Sequence, residues 1–160
     1  MNPGKFLMAG LLGTFVFLSS CGDSGEKKAE GTETTTTTTE GASSEGSDPK
    51  GIGKFKNVEL THPLDETMVA GGKSVFEVKC SSCHKLTGEK LVGPGFAQVT
   101  DRRTPEWIMN FVTNTDEMIE KDTAAQRLLE QCLVRMPNQS LSDQDARHVL
   151  EYLRKNDGKN

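Results

Sequence analysis

The chain has 160 residues, a formal net charge of −4 at pH 7 and 34% hydrophobic residues. This length allows one small domain, and the absence of a basic stripe argues against a nucleic-acid partner. The large apolar side chains that can build a core begin at about Phe55, so the folded domain is expected in the C-terminal part of the chain.

Residues 1–21 have the pattern of an export signal. A positively charged start precedes the apolar run FLMAGLLGTFVFL, which is shorter than the roughly 20 residues needed to span a bilayer. Residues 18–21 (LSSC) follow, and they resemble the lipobox of bacterial lipoproteins, in which the cysteine is lipidated and becomes the new N-terminus. The resemblance implies that Cys21 carries a membrane anchor. The alternative is an ordinary cleaved signal peptide with a chance cysteine.

Residues 22–50 are predicted to form a disordered tether. They are rich in Gly, Ser, Thr and Glu and contain no large hydrophobic side chain, so they cannot offset the entropy cost of ordering. A tether would let an anchored domain sample partners at high local concentration, although a spacer without a tuned length fits equally well. Residues 51–66 are predicted to be an extended strap around the domain, held by Phe55, Val58 and Leu60.

The segment Cys80-Ser81-Ser82-Cys83-His84 is the most informative motif in the chain. C-x-x-C-H is the attachment signature of c-type haem, since two thiols at this spacing reach both vinyl groups and the histidine is directed at the iron. A zinc site would need a second pair of Cys or His ligands at similar spacing, and the sequence has none. A thioredoxin-like site would need a pattern of alternating strands and helices, which the sequence does not show. The predicted cofactor is therefore one covalent haem c, with its iron bound by His84.

Residues 67–156 resemble the class I cytochrome c family. Gly72, Phe76 and Cys80 follow at four-residue intervals and share one face of a helix. In the family such a glycine and aromatic pair crosses the C-terminal helix, where Tyr152 is the matching aromatic. The resemblance implies an all-α class I cytochrome c fold with about four to five short helices around one haem.

The segment VGPG at positions 92–95 resembles the Gly-Pro segment that follows the attachment site in this family. The resemblance implies that the Pro94 carbonyl accepts a hydrogen bond from the Nδ1–H of His84. Such a bond leaves Nε2 for the iron and raises the basicity of the ligand.

Two helices are predicted after this loop. The first contains Trp107, with Thr104 as its cap and proline at its first position, and the second spans roughly Asp122 to Val134. Met118 is placed in their connection. Three groups are candidate partners for the haem propionates: Arg102 and Arg103, which precede the first helix, and the N–H of Trp107 near its start. Each could instead be a solvated surface group.

Met136 is the predicted second iron ligand. It lies in the irregular segment Arg135-Met136-Pro137, and the family's ligand methionine is often followed by proline at this place. The other methionines of the domain (Met68, Met109 and Met118) are more typical of core filler. His62 is a weaker rival, His148 is interpreted as a solvated surface histidine because it lies off the apolar stripe of the last helix, and Cys132 is interpreted as a small buried hydrophobe.

A final helix is predicted from its capping box, Ser142 with Asp145, and from an apolar stripe at helical spacing. Residues 157–160 form a polar tail. With both axial positions of the iron filled, the expected function is outer-sphere transfer of one electron, not enzyme catalysis. The alternatives are a haem enzyme or gas sensor with an open distal site, and a haem subunit of a larger complex.

The segments 51–65 and 102–107 resemble envelope cytochromes that accompany nitrous-oxide respiration in some bacteria. This resemblance implies a terminal reductase, such as nitrous-oxide reductase, as electron acceptor, while a cytochrome oxidase fits the residues equally well. An upstream quinol-oxidising complex is the expected donor. The expected location is the periplasmic side of the bacterial cell envelope, with the lipid in the membrane.

Overall fold

The computed structural model describes residues 48–160, and the predicted signal, Cys21 and most of the predicted tether lie outside this range. The all-α class is confirmed. The described residues form six helices where about four to five were expected, because two short segments beside the tryptophan helix are also helical. In chain order they are α1 (Glu66–Lys79), α2 (Val99–Arg102), α3 (Pro105–Thr113), α4 (Thr115–Lys121), α5 (Thr123–Cys132) and α6 (Asp143–Asn156). Of these helices, none has the length and apolar character to cross a membrane.

The most extensive helix packing joins α1 and α6. Gly72 lies at the crossing, where a Cβ atom would stand 2.0 Å from the backbone oxygen of His148. One turn further along α1, the ring of Phe76 lies 5.6 Å from the ring of Tyr152. The two helices thus meet through a glycine and an aromatic pair, as the family resemblance implies, and α1 directs its C-terminal end toward Cys80.

Local hydrogen bonds determine where the other long helices begin. The Thr104 hydroxyl accepts from the Trp107 N–H at 3.2 Å, and the Ser142 hydroxyl accepts from the Asp145 N–H at 3.0 Å. Both predicted helix starts are therefore confirmed. Helix α5 ends at Cys132 and not at Val134, because Leu133 adopts a left-handed backbone conformation with φ of 59°.

The placement of Met118 in a connection was wrong. Met118 lies in helix α4, where it is completely buried beside the buried Ile119. Seven residues make up this helix. A segment this short shows no complete helical repeat in its sequence, so its helical state depends on the burial of these two side chains.

The strap that precedes α1 is held by buried polar groups of α3 and α4. Asn110, with no exposed surface, donates to the carbonyl oxygens of Lys50 (2.9 Å) and Phe55 (3.0 Å) and accepts from the Phe55 N–H at 3.0 Å. The sulfur of Met118 accepts from the Ile52 N–H at 2.9 Å. These bonds satisfy backbone groups that have no partner in a helix or strand.

Two predictions about the strap need correction. The tether was extended to Lys50, but residues 48–50 belong to the fold, since Gly51 donates to Asp48 O at 2.9 Å and the Thr104 hydroxyl donates to Pro49 O at 2.8 Å. Phe55 and Val58 pack against the core as expected. Leu60 does not hold the strap in the same way, because it remains 36% exposed beside a second, smaller cavity.

Replacing Asn110 by alanine should lower the free energy of unfolding by about 3 kcal/mol, because it leaves buried backbone groups of the strap without partners. The matched control is Asn114→Ala, since Asn114 is half-buried, its bond to Ile52 O is long at 3.4 Å, and its other partner is the partly exposed carboxylate of Glu117, at 2.7 Å. We expect the control to lose less than about 1 kcal/mol. Denaturant unfolding of the two holoproteins measures the difference, and equal stabilities would contradict this role of Asn110.

Candidate haem site

One large cavity opens between the end of α1 and the segment that follows α5. Its volume is about 1210 Å³, including part of the open mouth. The walls are mainly apolar, and none of the residues 48–160 that line them carries a carboxylate. Cys80, Cys83 and His84 line this cavity, and so does Met136. The structure therefore brings the attachment motif and the predicted second ligand to one site.

The two cysteines of the motif lie on a continuation of α1. The Cys80 N–H donates to Phe76 O at 2.9 Å, and Cys83 and His84 both donate to Cys80 O, at 3.0 and 2.9 Å. Both thiols are free of disulfide bonds. Burial, with a smaller contribution from the nearby Cys83, raises the pKa of the Cys80 thiol to about 11. At neutral pH Cys80 is thus protonated, and addition of its S–H across a haem vinyl group would give a thioether.

The imidazole of His84 is held in one tautomer. Its ring is 8% exposed, and Nδ1 lies 2.9 Å from the carbonyl oxygen of Pro94. Because a carbonyl can only accept, Nδ1 carries the proton and Nε2 keeps its lone pair. Burial lowers the pKa of His84 and outweighs the opposing effect of the Pro94 bond. The neutral ring at pH 7 is therefore able to bind iron through Nε2.

The loop carrying Pro94 is tied to the attachment motif by its backbone. Val92 and Gly93 both donate to Cys83 O, at 3.2 and 2.9 Å. A Cβ atom at Gly93 would lie 2.3 Å from Cε1 of His84, so a larger side chain would displace the imidazole. This close approach explains why glycine precedes the proline.

Burial and hydrogen bonding separate the candidate second ligands. Met118 and Met109 are buried in the core, at 0% and 4% exposure, and the Met118 sulfur already accepts the Ile52 N–H. His62 lines the second, smaller cavity. Among the methionines of residues 48–160, Met136 alone lines the large cavity.

His148 was interpreted as a solvated surface group, which is only partly right. It is half-buried beside Gly71, where a Cβ atom would lie 2.6 Å from its Nδ1. It does not line the large cavity. His148 therefore belongs to the crossing of α1 and α6.

Three arginines line the cavity: Arg102, Arg103 and Arg135. Arg102 donates to the carbonyl oxygens of Gly95 (3.3 Å) and Ala97 (3.0 Å), so it supports the loop that carries Pro94. Arg135 forms an ion pair with Asp116 at 3.1 Å. Arg135 was not assigned to the site from the sequence, although its position next to Met136 could have indicated that it lines the cavity.

Arg103 is the arginine best placed for a haem propionate. Its guanidinium lies 4.6 Å from the Trp107 ring centroid, and it forms no ion pair with any residue in the range 48–160. Burial lowers the pKa of Arg103, the nearby Asp122 carboxylate opposes this to a smaller extent, and the neighbouring Arg102 and Arg127 lower the pKa further. A carboxylate brought beside this group would gain a charge-assisted hydrogen bond.

The prediction that the Trp107 N–H contacts a propionate needs correction. The indole N–H donates to Oδ1 of Asp122 at 3.2 Å, and Asp122 is only 2% exposed. The ring itself lines the cavity and stacks on Phe111 at 5.0 Å. Trp107 therefore contributes an apolar wall to the cavity, while its N–H donates to Asp122, the N-cap residue of α5.

Two further cavity residues were not assigned there from the sequence. Phe96 stacks on His84, with ring centroids 4.4 Å apart, and follows Pro94 by two positions. Cys132, the last residue of α5, is half-buried and lines the cavity, so it is less enclosed than a buried core residue. No local pattern indicates either contact.

The residues of this site fit haem c. The cavity is lined by the free thiols of Cys80 and Cys83, the neutral imidazole of His84 and the thioether of Met136. Among residues 48–160, its walls also contain arginines but no carboxylate. No group of three or more His, Cys, Asp or Glu in residues 48–160 is arranged to hold a metal by itself. An iron atom here would therefore need a porphyrin to complete its coordination, with the His84 imidazole as the ligand that the attachment motif supplies.

An all-helical fold with a C-x-x-C-H motif on the wall of an apolar cavity defines a class I c-type cytochrome. Residues 69–157 match the family described as Cytochrome c, and the chain belongs to this family. Its cofactor is covalent haem c with iron, and the family's function is electron transfer. No curated protein sequence gives a significant match.

Solved structures of this family are similar to the chain. A cytochrome c from Rhodothermus marinus is 33% identical, with a TM-score of 0.66, and the match covers 69% of this chain and 98% of that chain. An engineered form of the Rhodothermus marinus protein, Rma TDE, is 32% identical, with a TM-score of 0.66 over 70% of this chain and all of that chain. The same engineered form bound to a carbene intermediate is also 32% identical, with a TM-score of 0.63 and the same coverage.

Proposed function

We propose that this cytochrome is a lipid-anchored carrier of single electrons in a bacterial cell envelope, with its iron bound by His84 and Met136. The proposal rests on one observation: His84 and Met136 line the same cavity, and no other methionine of residues 48–160 lines it. A six-coordinate iron has no open position for a reactant, so electron exchange is the chemistry that remains.

The protein residues have separate roles in this proposal. Haem c, bound covalently through Cys80 and Cys83, would supply the exchange between ferric and ferrous iron. The Pro94 carbonyl holds the His84 ring in the tautomer that presents Nε2. The apolar walls limit the access of water, and thioether ligation raises the reduction potential. Arg103 would neutralise one haem propionate.

Electron exchange with partners is proposed at the mouth of the cavity. Val92 and Val134 line the cavity and remain 40% and 53% exposed, so they mark where it meets solvent. The proposed acceptor is a terminal reductase, such as nitrous-oxide reductase, or a cytochrome oxidase. The proposed donor is a quinol-oxidising complex. Both proposals come from sequence resemblance, and oxidation of the reduced protein by each purified enzyme would test them.

Optical spectroscopy of the ferric protein, expressed with haem-maturation machinery, tests the coordination. We expect haem that stays attached after denaturation and acid–acetone extraction, together with a sulfur-to-iron charge-transfer band at neutral pH. A spectrum with water in the sixth position would contradict the carrier function and favour an enzyme or gas sensor.

Replacing Cys21 by serine should abolish the incorporation of labelled fatty acid into the protein, because serine cannot form the thioether that carries the lipid. Since two or more acyl chains are expected on the anchored protein, the wild type should incorporate the label strongly. Metabolic labelling of cells that express the full-length holoprotein measures it. The control is Cys132→Ser, which removes a thiol from the folded domain and should keep the label. A Cys21→Ser protein labelled as strongly as the wild type would contradict the anchor.

A further inference from the structure

We propose that Phe96 is a positioning residue that sets the plane of the His84 ring and thereby the orientation in which this ring meets the iron. This inference rests on the proposed role of His84 as an iron ligand. The two rings are stacked, with centroids 4.4 Å apart and an angle of 16° between their planes. A nearly parallel aromatic ring thus covers one face of the imidazole.

The hydrogen bond to Pro94 does not define the ring plane by itself. Hydrogen bonds tolerate departures of about 30° from linearity at little cost. The bond from Nδ1 would therefore still allow the imidazole to turn through a similar angle about a bond from Nε2 to iron. A flat ring stacked on one face of the imidazole restricts this turn, because rotation would drive imidazole atoms into the Phe96 carbons.

Phe96 is itself held in place from two directions. Its backbone N–H donates to Lys85 O at 2.9 Å, directly beside His84. Its ring packs against Phe76, with centroids 6.1 Å apart and an interplanar angle of 62°, and Phe76 is only 5% exposed. The position of the Phe96 ring is therefore coupled to α1, the helix that carries the attachment motif.

The consequence lies in the electronic structure of the site. The plane of an axial imidazole decides which iron d orbitals overlap with its π system. Residues around a metal ligand tune the metal by orienting that ligand. Electron paramagnetic resonance g-values and the hyperfine-shifted haem-methyl signals of the ferric protein depend on this plane. They report on it independently of electron-transfer activity.

Phe96→Leu and Phe96→Tyr, both prepared as holoproteins, test the inference. Leucine keeps an apolar side chain but removes the flat contact, so the g-values and the order of the haem-methyl shifts should change. Tyrosine retains the ring and should restore the wild-type pattern. The matched control is Phe55→Leu, which removes an aromatic ring from the strap without touching His84. Its magnetic parameters should equal those of the wild type.

Unchanged g-values and methyl shifts in Phe96→Leu would overturn the inference. If this variant does not accumulate, the wild-type protein still provides a test, because paramagnetic shifts give the imidazole plane directly. A plane parallel to the Phe96 ring supports the inference, and a plane turned away from it overturns the inference. Absence of covalent haem or of the sulfur-to-iron band would instead show that the proposed coordination is wrong.

Discussion

Replacing Met136 by alanine should abolish the sulfur-to-iron charge-transfer band of the ferric protein and open its sixth coordination position. Met136 is the only methionine of residues 48–160 on the cavity wall, so no other thioether can take its place without repacking the core. The reduction potential should fall by a substantial part of the roughly 0.8 V range that axial ligands span. The variant should also bind added imidazole or carbon monoxide, which the wild type resists.

Spectroscopy and redox titration of holoprotein variants provide the measurement. Met109→Leu and Met118→Leu are the controls, since both side chains lie in the core and not on the cavity. They should keep the band, although Met118→Leu loses the bond from the Ile52 N–H and should be less stable. A Met136→Ala protein with an unchanged band would show that the iron takes its second ligand elsewhere.

Replacing Gly72 by alanine should destabilise the domain by about 3 kcal/mol, the upper part of the usual cost of overpacking. The added Cβ would lie 2.0 Å from the backbone oxygen and 2.5 Å from the carbonyl carbon of His148. Backbone atoms of α6 cannot turn aside, so the two helices must separate. We expect the midpoint of thermal unfolding to fall by more than about 10 °C.

Gly71→Ala is the matched control in the same helix. Its added Cβ would approach Nδ1 of the His148 side chain at 2.6 Å, and a side chain is able to move. Alanine also improves helix propensity by about 1 kcal/mol over glycine. Thermal unfolding of this holoprotein should therefore occur at or near the wild-type temperature. Equal losses in both variants would contradict the interpretation of Gly72 as the contact between the helices.

The attachment motif, the loop at Pro94 and two helix starts were predictable because each is recorded in a short stretch of sequence. Thr104 and Ser142 accept hydrogen bonds from residues three positions later, so their function follows from local spacing. Helix α4 could not be predicted in this way, since it has no complete apolar repeat. The boundary of the tether was also missed, because polar residues 48–50 are ordered by distant partners.

The sequence by itself determined the cofactor and indicated His84 as the proximal ligand, because the attachment motif occupies five consecutive residues. The all-α class followed from the resemblance of residues 67–156 to the class I cytochrome c family. Only the tertiary structure showed that the Trp107 N–H donates to Asp122 and that Phe96 covers His84. It also brought Met136, which the family resemblance had indicated, to the wall of the cavity. These outcomes depend on packing and on hydrogen bonds between separate elements. Local patterns do not encode such contacts, since a buried side chain takes whichever partner the folded core places beside it.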